Sequence, residues 1–277
     1  MPFDEKEFWR QAERDLARPI DVTVPHSARV WNFWLAGKDF YEADQTAAAE
    51  CSALFPGMAD TVRRLRAYTS SAARFLAGQA GIRQFLDIGA GRPFDGPVHQ
   101  VAQRAAPECR VVYADNDPLV VAYGRALLTR RPPGSSDCID ADLNDPAGLL
   151  SAAGQAGLDF TRPVAVMLMS VLGHIGGPAR DDGRAARSAL AGLRSALPPG
   201  SWLAVGDLAD TSPGLRAAMA SCNASGANPY RLRSPAQLAR FLDGLDLAGP
   251  VLGPGWAPRP GPGVTPRPAW GVLGRKP

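Results

Sequence analysis

Hydrophobic spacing divides the chain into two regimes. Up to about residue 80 the pattern is helical, with segments predicted over residues 5–16, 27–35, 39–54 and 60–76. The last of these is the clearest. Val62, Leu65, Thr69, Ala72, Phe75 and Leu76 recur at three- and four-residue steps and so share one face, with Gly78 and Gly81 bracketing the end. Ser27 is placed to cap the second helix, and the alanines at 47–49 favour the third.

From about residue 81 short apolar runs alternate with helical stretches. Gln84–Ile88, Arg110–Ala114, Cys138–Ala141, Val164–Met169 and Trp202–Val205 predict strands, and 98–105, 119–128 and 182–197 predict helices. Val164–Met169 is apolar throughout, as expected of a strand covered on both faces. Such alternation implies right-handed crossovers and a parallel sheet. Residues 249–268 carry seven prolines and five glycines and predict a loop, after which Ala269–Leu273 predicts a final edge strand. The expected fold is α/β: a Rossmann-like, doubly wound, mostly parallel sheet of about seven strands. Residues 1–80 form an N-terminal helical cap or lid, and residues 81–277 form the α/β domain.

Composition narrows the function classes. The 277 residues are 45% hydrophobic and 21% charged, an ordinary globular balance. A net charge of +3, spread over amphipathic segments, offers no footprint for nucleic acid. No apolar run approaches the roughly 20 residues needed to cross a bilayer. The charged start, Met1–Glu7, has no apolar core of a signal peptide. Cys51, Cys109, Cys138 and Cys222 form no C-x-x-C pair, and with three histidines a zinc site is not expected. Widely spaced single cysteines fit a reducing cytoplasm, where they pack as small apolar residues. Nothing in the sequence excludes assembly into a homo-oligomer.

The chemistry concentrates where strands end. After Phe85-Leu86-Asp87-Ile88 come Gly89-Ala90-Gly91, a turn that lets a ligand approach the backbone at the carboxyl end of a strand. A dinucleotide fingerprint would need a third glycine where Phe94 stands, so an NAD(P)-dependent oxidoreductase is disfavoured. The pattern acid-x-Gly-x-Gly instead resembles motif I of class I S-adenosylmethionine-dependent methyltransferases. Asp115, with Asn116 beside it, follows the second strand. An ionised carboxylate there can accept both hydroxyls of a ribose, while Asp117-Pro118 suits a helix cap. Asp142 and Leu143 follow the third strand. In methyltransferases an acid here meets the adenine amino group and the next N–H a ring nitrogen.

More of the chain then points one way. Ala28-Arg29-Val30-Trp31-Asn32-Phe33-Trp34-Leu35-Ala36-Gly37-Lys38-Asp39, Gly81–Gly91, Val98–Gln103, Arg110–Pro118, Ile139–Leu143, Arg162–Met169 and Gly274–Pro277 together resemble the actinobacterial S-adenosyl methyltransferase family formerly catalogued as a domain of unknown function. The resemblance spans nearly the whole chain. It implies S-adenosylmethionine as cofactor and a lid made by the N-terminal segment, with Arg29 and Lys38 at the cofactor. An aromatic wall there could hold a sulfonium by cation–π attraction. A structural salt bridge among Arg29, Lys38 and Asp39 is the competing reading.

The family pattern places a histidine directly after Val-Leu. This chain reads Val171-Leu172-Gly173-His174, one place later. His174 is the candidate general base, Ser170 a candidate pocket residue, and His99 a brace. The expected function is methyl transfer to a small molecule. The alternative, from another class, is a cofactor-binding protein without catalysis.

Overall fold

The computed structural model describes residues 21–91, 97–128, 134–176, 183–249 and 268–277. The helix expected over 5–16, Arg92–Phe94 and most of the Pro/Gly-rich segment lie outside them. Three helices come first: α1 (Ser27–Trp34), α2 (Glu42–Leu54) and α3 (Met58–Gly78). There follow β1 (Gln84–Ile88), α4 (Val98–Ala105), β2 (Arg110–Asp115), α5 (Pro118–Leu127), β3 (Ser135–Asp140), α6 (Pro146–Gln155) and β4 (Ala165–Met169). A 3₁₀ turn (Leu172–His174) leads to α7 (Arg184–Ala196), β5 (Trp202–Leu208), α8 (Pro213–Ala224), α9 (Pro235–Ala239), β6 (Asp246–Leu247) and β7 (Ala269–Arg275).

The seven strands form one sheet in the order β3-β2-β1-β4-β5-β7-β6. β1 to β5 pair in parallel, and β7 runs antiparallel between β5 and β6. The final strand is therefore interior, which corrects the expected edge position. The two-residue β6 covers its far side. Strand order reverses between β1 and β4, so their carboxyl ends open the crevice at which such sheets bind ligands.

Four helices start alike, with Asp117-Pro118, Asp145-Pro146, Ser212-Pro213 and Ser234-Pro235 at cap and first position. The capping oxygens take N–H groups that the first turn leaves over, and proline has none to lose. At α1 the N-cap position falls on His26 rather than Ser27.

Apolar side chains pack on both faces of the sheet. One face carries Leu149, Leu190, Leu193 and Leu238, the other Leu76, Val101 and Ala102. A third cluster joins Val30, Trp34, Met58 and Val62 to Leu215 and Met219 of α8. α3 thus belongs to two layers, its first half to the helical group and its second half to the sheet. All four cysteines are free and buried. Among the described residues no helix is long and apolar enough to cross a membrane.

Candidate functional site

The turn after β1 is built on two left-handed glycines, Gly89 (φ 67°) and Gly91 (φ 58°). A side chain at Gly89 would bring Cβ within 2.5 Å of Val171 Cγ2, whereas among the described residues nothing lies within 4 Å of the Cβ position at Gly91. The first glycine lets the chain pass tightly under the loop after β4. The second leaves backbone open to the crevice.

Gly91 N–H donates to Asp115 Oδ2 and Asp117 N–H to Asp115 Oδ1, both at 2.9 Å. The one carboxylate thereby knits the loops after β1 and β2 together, and each oxygen retains a lone pair. Burial pushes the Asp115 carboxyl up to about 6, against the two N–H donors that favour its charge. Asp142 Oδ1 accepts from Asn144 N–H at 2.8 Å and its Oδ2 from Asn116 Nδ2 at 3.2 Å. Leu143 is buried beside it.

Asp87, Gly89, Ala90, Gly91, Asp115, Asn116, Asp142, Leu143, Ser170 and His174 all line one crevice of about 280 Å³. The sequence spreads them over four strand ends, and the sheet brings them together. Ser170 holds φ at 59°, a left-handed value uncommon for a residue with a side chain. Its N–H donates to Gly206 O at 2.6 Å. Asp87 is buried, and burial pushes its carboxyl up to about 7, opposed by the charge of Arg66 and reinforced by that of Asp115.

His174 sits in the 3₁₀ turn, and that turn is held from behind. Arg233 donates to the carbonyls of Leu172 (2.6 Å) and Ile175 (3.1 Å), while Arg231 N–H donates to that of Gly173 at 2.8 Å. Tyr230 packs edge-on to the imidazole at 4.9 Å, and its hydroxyl donates to buried Asp207. His174 Nδ1 lies 3.0 Å from Pro229 O, which can only accept. Nδ1 therefore carries the proton and Nε2 holds the lone pair of the neutral ring. Burial pulls the imidazole down to about 4. In ¹⁵N-imidazole NMR spectra, simple with three histidines, His174 should keep the Nδ1–H tautomer and titrate near 4. A midpoint near the ordinary value of about 6.5 would contradict this hold.

Across from the strand tips the wall is helical. His26, Trp31, Asn32 and Leu35 come from α1 and its flanks, and Val62, Leu65, Arg66 and Thr69 from α3. His26 Nδ1 lies 2.9 Å from Asp117 Oδ2, joining this wall to the loop after β2. Of the aromatic set near Gly37, Trp31 lines the crevice. Trp34 is core, its Nε1 donating to Ala48 O at 3.2 Å, and Phe33 packs edge-on against Phe40.

Two expected site residues stand elsewhere. Arg29 is 4% exposed, its Nε donates to Asp44 Oδ2 at 2.8 Å, its Nη2 donates to Val24 O at 2.6 Å, and its guanidinium lies over the Tyr41 ring. It is a buried brace between α1 and α2 and does not line the crevice. Lys38 is exposed and does not line it either. The ion pair expected among Arg29, Lys38 and Asp39 is replaced by Arg29–Asp44. His99 braces β2: its N–H donates to Tyr113 Oη at 2.9 Å.

Arg66, His26, Asn228 and Pro229 also line the crevice, and the sequence marks them weakly. For Arg66 a signal existed. It follows Val62 by one helical turn, so it is a cation beside an otherwise apolar stripe. Asn228 and Pro229 lie between helices, where no periodicity marks them.

A family model described as S-adenosyl methyltransferase matches residues 13–276. A solved DUF574 family protein from Streptomyces avermitilis MA-4680 is 34% identical, with a TM-score of 0.82 over 93% of this chain and 99% of that one. A candidate methyltransferase from Thermobifida fusca YX is 32% identical, with a TM-score of 0.79 over 92% of this chain and 96% of that one. An O-methyltransferase family protein from Burkholderia thailandensis shares the fold alone, at 12% identity and a TM-score of 0.51, over 98% of this chain and 69% of that one. No curated protein matches the chain.

Proposed function

This chain belongs to the S-adenosyl methyltransferase family, and we propose that the crevice at its strand tips holds the cofactor while a small-molecule acceptor meets it there. The observation that carries this is the convergence of three carboxylates, Asp87, Asp115 and Asp142, with the Gly89–Gly91 turn around a single cavity. The residues present fit the cofactor. Asp115 has lone pairs for two ribose hydroxyls, supported by Asn116, and Asp142 with the Leu143 N–H suits the adenine edge. Gly89, Ala90 and Gly91 offer bare backbone, Ser170 a hydroxyl, and Asp87 an anion for the ammonium group.

S-adenosylmethionine supplies a methyl group on a sulfonium, a leaving group already activated. The protein then has to align, exclude water and take a proton. Trp31, Leu35, Val62 and Leu65 give the helical side of the crevice an apolar stretch. His174 Nε2 is the nitrogen that can receive the acceptor's proton, because Pro229 holds the proton already on Nδ1. An imidazole neutral at pH 7 is ready to act, although its low basicity limits it to acceptors that surrender their proton late.

In this reading residues 1–80 are a cap and lid over an α/β domain of 81–277. The His26–Asp117 contact is where the two meet beside the cofactor. A cytoplasmic setting accords with four free cysteines, and an actinobacterial source with the Streptomyces and Thermobifida relatives.

Calorimetric titration tests the site. S-adenosylmethionine and S-adenosylhomocysteine should bind one per chain and NAD should not. Screening small phenols, amines and carboxylic acids for cofactor-dependent S-adenosylhomocysteine release then tests the transfer. Binding of NAD in place of the adenosyl ligands would defeat the reading. Tight adenosyl binding with no acceptor found in any such class would favour the catalytically silent alternative.

A further inference from the structure

Asn32 is a polar residue in a place that packing does not explain. It is 2% exposed and yet lines the crevice. The orientation of its amide is fixed from one side, where Asp39 N–H donates to Oδ1 at 3.1 Å. An N–H can only face the amide oxygen, so Nδ2 occupies the other branch, and there it has no hydrogen-bond partner among the described residues. A buried donor without a partner is rare enough in native proteins to need an explanation.

The following loop is shaped around this amide. Ala36 adopts φ 60°, and Gly37 N–H donates to the backbone oxygen of Asn32 at 2.9 Å. A Cβ at Gly37 would stand 2.3 Å from Asn32 Oδ1 and 2.4 Å from Nδ2. Glycine at 37, the turn at 36 and the N–H of Asp39 are thus three parts of one device that presents Nδ2. Leucine at 32 would serve packing alone.

The chemistry of the surrounding wall narrows what Nδ2 meets. Arg66 lines the same helical side, and its charge faces Asp87. An amide N–H and a guanidinium are donors only, and a carboxylate is an acceptor only. Asp87 has the opposite character and suits an ammonium. Donors on one side and an acid on the other match the two ends of an α-amino acid. Resting on the cofactor reading above, we propose that Asn32 Nδ2, together with Arg66, receives the carboxylate of the cofactor's amino-acid end. The 32–39 segment then selects the intact cofactor over truncated nucleosides.

The test compares two ligands that share the nucleoside thioether. S-adenosylhomocysteine carries the amino-acid end and 5′-methylthioadenosine lacks it. Asn32→Asp keeps an oxygen for Asp39 N–H but removes the donor, and Asn32→Ala removes it without adding charge. Both variants should bind S-adenosylhomocysteine roughly 10- to 100-fold more weakly, the range for one hydrogen bond to a charged group. Their affinity for 5′-methylthioadenosine should stay within about twofold of the wild type. Equal losses for both ligands would mean that Asn32 only supports the wall, and no loss for either would mean that Nδ2 serves another ligand. Each of those results overturns the inference while leaving the cofactor reading intact. A wild-type chain that binds neither ligand overturns both.

Discussion

Asp115→Ala should weaken S-adenosylhomocysteine binding by about 10²- to 10³-fold with little loss of thermal stability in the ligand-free protein. Two hydrogen bonds from ribose hydroxyls to a carboxylate are at stake, each worth about 1.5–3 kcal/mol and not fully additive. The stability half of the expectation comes from the sign of the shift. Burial raises the folded-state carboxyl to about 6, so at neutral pH the charged form opposes folding relative to the unfolded chain. Removing it relieves that cost. The N–H groups of Gly91 and Asp117 lose their acceptor, which offsets the gain. Asp115→Asn should fall between, because one amide oxygen can still accept while the NH₂ faces a second donor. Calorimetry and a melting curve in the absence of ligand read the two halves separately. Unchanged affinity would remove Asp115 from the ribose site. A collapse of stability alongside lost binding would make it a structural knot between two loops.

How much of this is legible in the sequence depends on whether the determining contact is local. β1, β2 and β4 are readable because burial on both faces demands apolar runs, and the end of β1 because Gly89 and Gly91 stop it. The cap at Asp117 is readable because capping is settled within three residues, and its carboxylate indeed takes an N–H of its own first turn. α6 and α8 gave little local signal. α6 contains Gly148 and Gly154, and α8 buries small or slender residues, Ala218, Met219 and Cys222, against α2 and its neighbours. Their stability comes from tertiary packing, which propensity does not report. β6, at two residues, is too short for any period to show, and so β7 read as an edge. Arg29 was conspicuous as a charge among aromatics. Its partner Asp44 lies fifteen residues on, however, and whether a buried cation serves a ligand or another helix is decided by which acid the fold brings to it. The site residues at strand tips were legible as a set because topology alone places them together. The helical wall, with His26 and Arg66, depends on how α1 and α3 pack, and only the helical phase of Arg66 hinted at it.

Asp87 should make cofactor affinity depend on pH, and the direction follows from its surroundings. In the ligand-free protein burial lifts its carboxyl to about 7, Arg66 opposes the lift, and Asp115 adds to it. The folded state thus holds this proton more tightly than the unfolded chain. The resulting stabilisation is fully present below the unfolded value of 3.8 and is lost as pH rises through about 7. Ligand-free protein should accordingly melt higher at pH 5.5 than at 7.5 as far as this group contributes. Binding runs the other way. A ligand ammonium beside Asp87 stabilises the carboxylate, so binding below pH 7 must expel the proton, and affinity should rise with pH by up to about tenfold per unit before levelling off. Asp115, raised to about 6, adds slope at the acidic end if ribose hydroxyls favour its charged form. Titrating S-adenosylhomocysteine at pH 5.5, 6.5 and 7.5 in buffers of different ionisation heat reads both the slope and the number of protons released. Asp87→Asn should leave only the shallower Asp115 component. 5′-Methylthioadenosine, which has no ammonium, should show that same reduced slope on the unaltered protein. Affinity that is flat or falls between pH 5.5 and 7.5 would mean Asp87 keeps its proton in the complex. It would then be a neutral donor buttressing the glycine turn, and the positive end of the ligand would have to lie elsewhere.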